Sequence, residues 1–230
     1  MARPALALPR IERVTLNELA YEGLKQALLS GRLEPGSVLT LRQLAEQLGT
    51  SMMPVREAVS RLAAEHALDV LPNRGIVVPD LDRADAADIW QLRIRLESDA
   101  SARAARHASA DEAAHIGRLA RSVEHAAAAA DLHGVLGANS AFQFAVYQAA
   151  RSPVTLQLIE ILRMRSVPHC TAAVRVLLAE RPTYFARSWA NHAALVSAIA
   201  AGDAGAARRI KQADLREFRD YVNTVRMRAA

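Results

Sequence analysis

The sequence predicts a mainly α-helical chain: an N-terminal winged helix-turn-helix with a small β-hairpin wing, followed by an antiparallel bundle of six to seven helices. Three observations carry this reading. Of 230 residues, 51% are hydrophobic and only 4% aromatic, with alanine-rich runs, a composition suited to packed helices rather than a sandwich of strands. Aliphatic residues recur at three- and four-residue spacing along most of the chain. The exception lies at Leu68–Val78, where two short aliphatic runs flank Pro72-Asn73-Arg74-Gly75, a strand-turn-strand signal.

Residues 1–14 read as a flexible arm, 15–79 as the first domain and 80–230 as the second. Leu16, Leu19, Leu24, Ala27 and Leu28 make a helix from Leu16 to Ser30, ended by Gly31, with Pro35-Gly36 as a turn. Thr40 caps a short helix, Leu41 to Leu48, and Gly49 supplies the left-handed residue of a sharp turn. Ser51 caps the next helix, which Pro54 enters in its first turn. Its buried stripe is Val55, Ala58, Val59 and Leu62, and its opposite face carries Arg56, Ser60 and Arg61. Strands over Leu68–Leu71 and Ile76–Val78 complete the wing. Such a unit lays its second helix in the major groove of double-stranded DNA.

The second domain opens after Pro79-Asp80-Leu81. Asp82 caps a helix from Arg83 to His107, and Ser109 with Glu112 forms a capping box for Ala110 to Ala130. His133-Gly134 reads as a break before a helix to Ala150. Ser152-Pro153 opens another to Val167. His169 to Arg181 has no clear pattern. Pro182 restarts the periodicity to Ala201, and Gly202-Asp203 precedes a last helix to Met227.

Several function classes fall away on composition. One cysteine, Cys170, gives no disulfide framework and fits a reducing cytoplasm. No apolar run approaches the roughly 18 residues of a membrane span, and Met1–Arg10 is too short for a signal core. The bundle lacks the repeated Glu-x-x-His pattern of a di-metal enzyme, and no aromatic, basic strands offer RNA a stacking surface. His169-Cys170 has no catalytic partner, and His66, His107, His115, His125 and His133 fall in loops or on polar faces. The net charge of +5 is not concentrated in the first domain: residues 1–79 hold 9 Lys/Arg and 8 Asp/Glu, the remainder 20 and 16. Binding to DNA is therefore argued from pattern rather than bulk charge.

Gly31-Arg32-Leu33-Glu34-Pro35-Gly36, Leu44-Ala45-Glu46-Gln47-Leu48-Gly49, Pro54-Val55-Arg56-Glu57-Ala58 and Asn73-Arg74-Gly75 together resemble the N-terminal domain of GntR-type bacterial regulators. Arg93-Ile94-Arg95-Leu96-Glu97, with Gly202-Asp203 before the last helix, resembles the FCD effector domain of the FadR subfamily. The resemblance implies a cytoplasmic homodimer, a repressor on a palindromic operator, released or altered in its binding when a small carboxylate metabolite enters the helical domain. The expected DNA-binding residues are Arg42, Ser51, Met52, Met53, Arg56, Ser60, Arg61, Asn73, Arg74 and Gly75.

Two departures stand out. Where the family's recognition helix usually opens Ser-Arg-Thr-Pro-Val-Arg, this chain reads Ser51-Met52-Met53-Pro54-Val55-Arg56, so a guanine-reading arginine is replaced by a methionine. Met52 and Met53 then touch thymine methyls, or Met52 faces solvent or packs on the wing. Many FCD domains also hold a divalent ion with one Asp and three His. The matching positions here are Asn139, Gln143, His192 and Asp214, two neutral amides, an imidazole and a carboxylate, a poor set for a transition metal. We expect no resident metal. The same cluster instead takes an organic effector by hydrogen bonds, or forms a satisfied buried network. Arg93 matches the family position that reaches into the pocket; its alternative is an intrahelical pair with Glu97. Arg163 and Arg165 are candidate second anchors that default to the surface.

Overall fold

The computed structural model describes residues 15–72, 75–180 and 182–229. The predicted arm and the wing-tip residues Asn73 and Arg74 lie outside the described residues. Helix α1 (Leu16–Leu29) starts from a capping box in which the Thr15 hydroxyl accepts from Glu18 N–H and the Glu18 carboxylate answers at the cap. Strand β1 (Val38–Leu39) leads into α2 (Leu41–Leu48), capped by a second box between Thr40 and Gln43 and closed by Gly49 at φ +64°. Helix α3 (Met52–Ala64) follows at once; Ser51 stands at its cap position, its hydroxyl making no cap bond.

The wing is larger than the sequence suggested. β2 (Asp69–Leu71) and β3 (Gly75–Val77) form the expected hairpin, but β1 pairs on the other edge of β3, giving the antiparallel order β1-β3-β2. A two-residue strand is too short to display alternation, so Val38 and Leu39 gave no signal of their own. The pairing Leu39↔Ile76 fastens the wing to the residues just before α2.

Among the described residues, seven helices make the second part: α4 (Arg83–His107), α5 (Ala110–Ala128), α6 (Leu132–Ala149), α7 (Pro153–Ser166), α8 (Thr171–Glu180), α9 (Pro182–Ala200) and α10 (Ala204–Ala229). The patternless stretch after α7 resolves into a 3-10 turn, Pro168–Cys170, and α8. The break expected at His133-Gly134 is displaced. The chain turns at Ala130, with φ +53°, and Asp131 caps α6 by accepting the Gly134 N–H at 2.9 Å. The glycine is thus a first-turn residue held by its cap, not a breaker.

Small buried residues on α4, Ala100, Ala104 and Ala105, let neighbouring helices close on it around Ile116, Phe142, Val146 and Leu195. A separate apolar cluster is continuous from head to bundle. Leu24, Leu28, Val55, Leu62 and Ile76 of the helix-turn-helix share it with Val135, Leu136, Met164, Val167, Val174 and Leu177. Polar ties flank this seam: His133 Nδ1 donates to Ser30 O at 3.0 Å, and Lys25 Nζ lies 3.5 Å from the Glu160 carboxylate.

Gly31 closes α1 at φ +65°, and a Cβ there would stand 2.5 Å from Thr171 Oγ1 and 2.8 Å from Leu136 Cδ1. Gly49 is equally left-handed at φ +64° but has nothing within 4 Å. Gly49→Ala should therefore cost about 1–2 kcal/mol, and Gly31→Ala about 2–5 kcal/mol because a clash adds to the backbone strain. Urea denaturation of both variants checks this; equal losses would mean that the bundle does not press on α1 as described.

Candidate nucleic-acid interface and helical cavity

α3 buries Pro54, Val55, Ala58, Val59 and Leu62, the stripe expected from its spacing. The other face is exposed. Met52 is 50% exposed and Met53 68%, and Arg56, Ser60 and Arg61 share that surface. Met52 is half exposed on that face. Arg42 projects from α2, its guanidinium 3.0 Å from Glu46. Arg61 is less free than its exposure suggests. Its guanidinium stacks 3.7 Å from the Tyr21 ring centroid and lies 3.4 Å from Glu65, which also accepts the Tyr21 hydroxyl at 2.8 Å. Gly75 belongs to β3 at the wing.

Within the bundle, a cavity of about 90 Å³ is lined by every residue expected at the effector site: Arg93, Asn139, Gln143, His192 and Asp214. It also brings in Arg163 and Lys211. Its organising group is Glu97, fully buried beside it. Arg93 Nε donates to Glu97 at 2.7 Å, so Arg93 both lines the cavity and makes its intrahelical pair. Arg93 continues to Ser166 Oγ at 3.0 Å and rests on the Trp90 ring. Arg163 reaches Glu97 from α7 at 3.4 Å, and Lys211 from α10 at 3.8 Å. Tyr147 donates its hydroxyl to the same carboxylate. Burial would raise the Glu97 pKa, but the three cations hold it down at about 2.

Lys211 Nζ donates to Gln143 Oε1 at 2.6 Å and stands 3.9 Å from Asp214 Oδ2. Burial lowers its pKa to about 8, with Glu97 and Asp214 opposing, so it is cationic at neutral pH. Gln143 Nε2 in turn donates to Asn139 Oδ1 at 3.3 Å. His192 is buried against Phe142, with ring centroids 4.6 Å apart. Burial lowers its pKa to about 4, which keeps the imidazole neutral. Arg163 Nε and His192 Nδ1 are buried cavity atoms without a hydrogen-bond partner among the described residues.

The donor set does not fit a divalent metal. Besides offering amides where the resemblance puts Asp and His, it already contains an ammonium bonded to one of those amides. Among the described residues no group of three or more His, Cys, Asp and Glu is arranged to hold an ion.

Arg163 is corrected from surface to core: it is 3% exposed. Arg165 stays at the periphery, 3.5 Å from Asp85. Lys211 and Tyr147 were missed altogether. The missed signal is positional: Lys211 lies on the inward stripe with Ala207, Leu215 and Val222, and a lysine in an apolar stripe is a buried charge in need of a partner. Cys170 is also buried, its thiol pushed up to about 11 by burial, which leaves it unreactive.

Since the folded Glu97 pKa is depressed from 4.5 to about 2, its contribution to stability is present above pH 4.5 and lost as pH falls toward 2. Thermal unfolding across that window should fall more steeply for the wild type than for Glu97→Gln. Parallel curves would remove Glu97 from the account. At pH 7, Glu97→Ala should cost about 3–5 kcal/mol, because it leaves buried cations uncompensated.

The model of the bacterial regulatory proteins of the gntR family matches residues 16–78, and that of the FCD domain residues 88–218. The HTH-type transcriptional regulator McbR of Escherichia coli is 32% identical over 159 residues, covering 69% of this chain and 72% of McbR. The structure of Escherichia coli McbR/YncC superposes with a TM-score of 0.82 at 27% identity, covering 95% of this chain and all of that one. The gluconate operon transcriptional repressor of Bacillus subtilis is 36% identical over 80 residues, 35% of this chain and 32% of the repressor. No helix among the described residues is long and apolar enough to cross a membrane. With a helix-turn-helix at one end and an FCD bundle behind it, the chain belongs to the GntR family and is a DNA-binding transcriptional regulator, not an enzyme.

Proposed function

We propose that the protein is a cytoplasmic homodimeric repressor, with 15–79 as the DNA-binding head and 80–230 as the effector and dimerisation domain. Each head reads one half-site of a palindromic operator, the arrangement that helix-turn-helix geometry favours. Arg56 and Ser60 with Met52 and Met53 face the base edges. Arg42, Ser51, Arg61 and the wing residues Asn73, Arg74 and Gly75 contact the backbone. The effector is a small organic acid bound in the cavity through Arg93, Asn139, Gln143, His192 and Asp214, with Arg163 beside them.

One observation carries the control mechanism. Leu136, Val167, Val174 and Leu177 line the cavity and also belong to the apolar cluster that seats the head. A ligand pressing on this wall acts directly on the surface against which α1 ends at Gly31. It selects one placement of the two heads, and operator affinity changes by the ligand's differential affinity for the two placements.

Genomic fragments selected with the purified protein at physiological salt should contain a short palindrome. The half-site should show thymine where the wider family reads guanine. Met52→Arg should move that preference toward guanine by about 1–3 kcal/mol per base pair. Recovery of fragments without a common palindrome would refute the dimeric reading, and a guanine already preferred by the wild type would refute the role of Met52.

A further inference from the structure

The polar cluster explains more than the loss of a metal. Lys211 enters from α10 one turn before Asp214 and puts its ammonium 2.6 Å from Gln143 Oε1, with Asp214 Oδ2 at 3.9 Å and Glu97 Oε2 at 3.8 Å. Two of the four positions that resemble metal ligands are thus already gathered around a cation, supplied by the chain itself. A divalent ion among them would stand within a few ångström of that ammonium, in a buried site where like charges repel most strongly.

We propose that the Lys211 ammonium stands permanently in the place of the divalent cation, making the cavity a metal-independent receptor for a small organic monoanion. The proposal rests on the reading of the cavity as an effector site. Charge arithmetic sets the ligand class. Arg93, Arg163 and Lys211 face Glu97 and Asp214, three cationic side chains against two carboxylates, leaving one net positive charge. One bound carboxylate neutralises that; a dianion would leave an excess negative charge in a buried site. Hydrogen bonding points the same way. Arg163 is 3% exposed and His192 5%, both line the cavity, and Arg163 Nε and His192 Nδ1 have no hydrogen-bond partner among the described residues. Arg163 Nε–H and the ammonium are donors for the two oxygens of a carboxylate. His192 Nδ1 serves a neighbouring polar group, as the α-hydroxyl of a hydroxy acid would provide. The apolar wall of Val135, Leu136 and Leu177 takes the ligand's carbon chain.

The test uses the full-length protein. Metal content after purification without chelator is measured first, and zinc, nickel and manganese are then titrated in. Thermal unfolding is followed with a panel of monocarboxylates from acetate to gluconate, and with malonate, succinate and inorganic phosphate, each up to about 10 mM, well above a millimolar Kd. Every ligand is run with and without EDTA. The expected result is no stoichiometric metal, stabilisation by at least one monocarboxylate over the dianions, and no effect of EDTA. Lys211→Met, which keeps the stem and removes the charge, should weaken that ligand roughly tenfold or more. Adding Asn139→Asp and Gln143→His to Lys211→Met should create zinc binding, and the same two changes with Lys211 retained should not. A wild type that carries one equivalent of metal, needs metal for ligand binding or prefers dianions overturns the role of Lys211 while leaving the effector reading intact. No stabilisation by any acid, with or without metal, overturns both. The wild-type arms decide the matter even if Lys211→Met fails to fold.

Discussion

A single buried carboxylate organises the bundle. Glu97 has no access to water, so its charge must be met from inside. Arg93 on its own helix, Arg163 on α7 and Lys211 on α10 meet it, and Tyr147 on α6 adds a hydrogen bond. Four helices are thereby tied to one point by groups that cannot separate without exposing an unpaired buried charge. Such an arrangement gives little net stability over a hydrophobic core, but it fixes register and orientation, and it leaves a polar chamber that aliphatic packing alone would have closed.

The chamber is not isolated from the other end of the molecule. Its aliphatic wall is the same set of side chains that seats α1, and Gly31 allows the end of α1 to touch Thr171 and Leu136 without a Cβ between them. Close-packed surfaces of this kind transmit small displacements because they have few voids to absorb them. The ties across the seam, His133 to Ser30 and Lys25 to Glu160, limit the directions in which the head can move.

Most helices and several of their caps were legible because local signals agreed with the fold: Thr40 and Ser109 each have a Gln or Glu three residues later, and each forms its box. β1 was not legible, because two residues show no period and the pairing with β3 is settled by a partner nearly forty residues away. Gly134 misled because a glycine near a helix start looks like a break unless the cap before it is recognised. The cavity was legible in part through family resemblance, which gave Arg93, Asn139, Gln143, His192 and Asp214. Lys211 was not, because the meaning of a lysine on an inward stripe depends on a carboxylate on another helix, Glu97, that periodicity cannot place beside it. Arg163 was obscured for the same reason.

The antiparallel pairing of Leu39 with Ile76 joins the wing to the residue preceding the cap of α2, and α3 follows α2 after a single tight turn. Wing, turn and α3 are therefore tied into one packed unit. Under the proposed control mechanism, a signal arriving at the foot of α1 would tilt or shift that unit as a whole. Under the proposed dimeric reading, selectivity for bases and sensitivity to ligand are separable properties of this fold: mutations on α3 would alter which half-site is chosen, whereas events in the bundle would alter the distance and angle at which two unchanged half-sites are read.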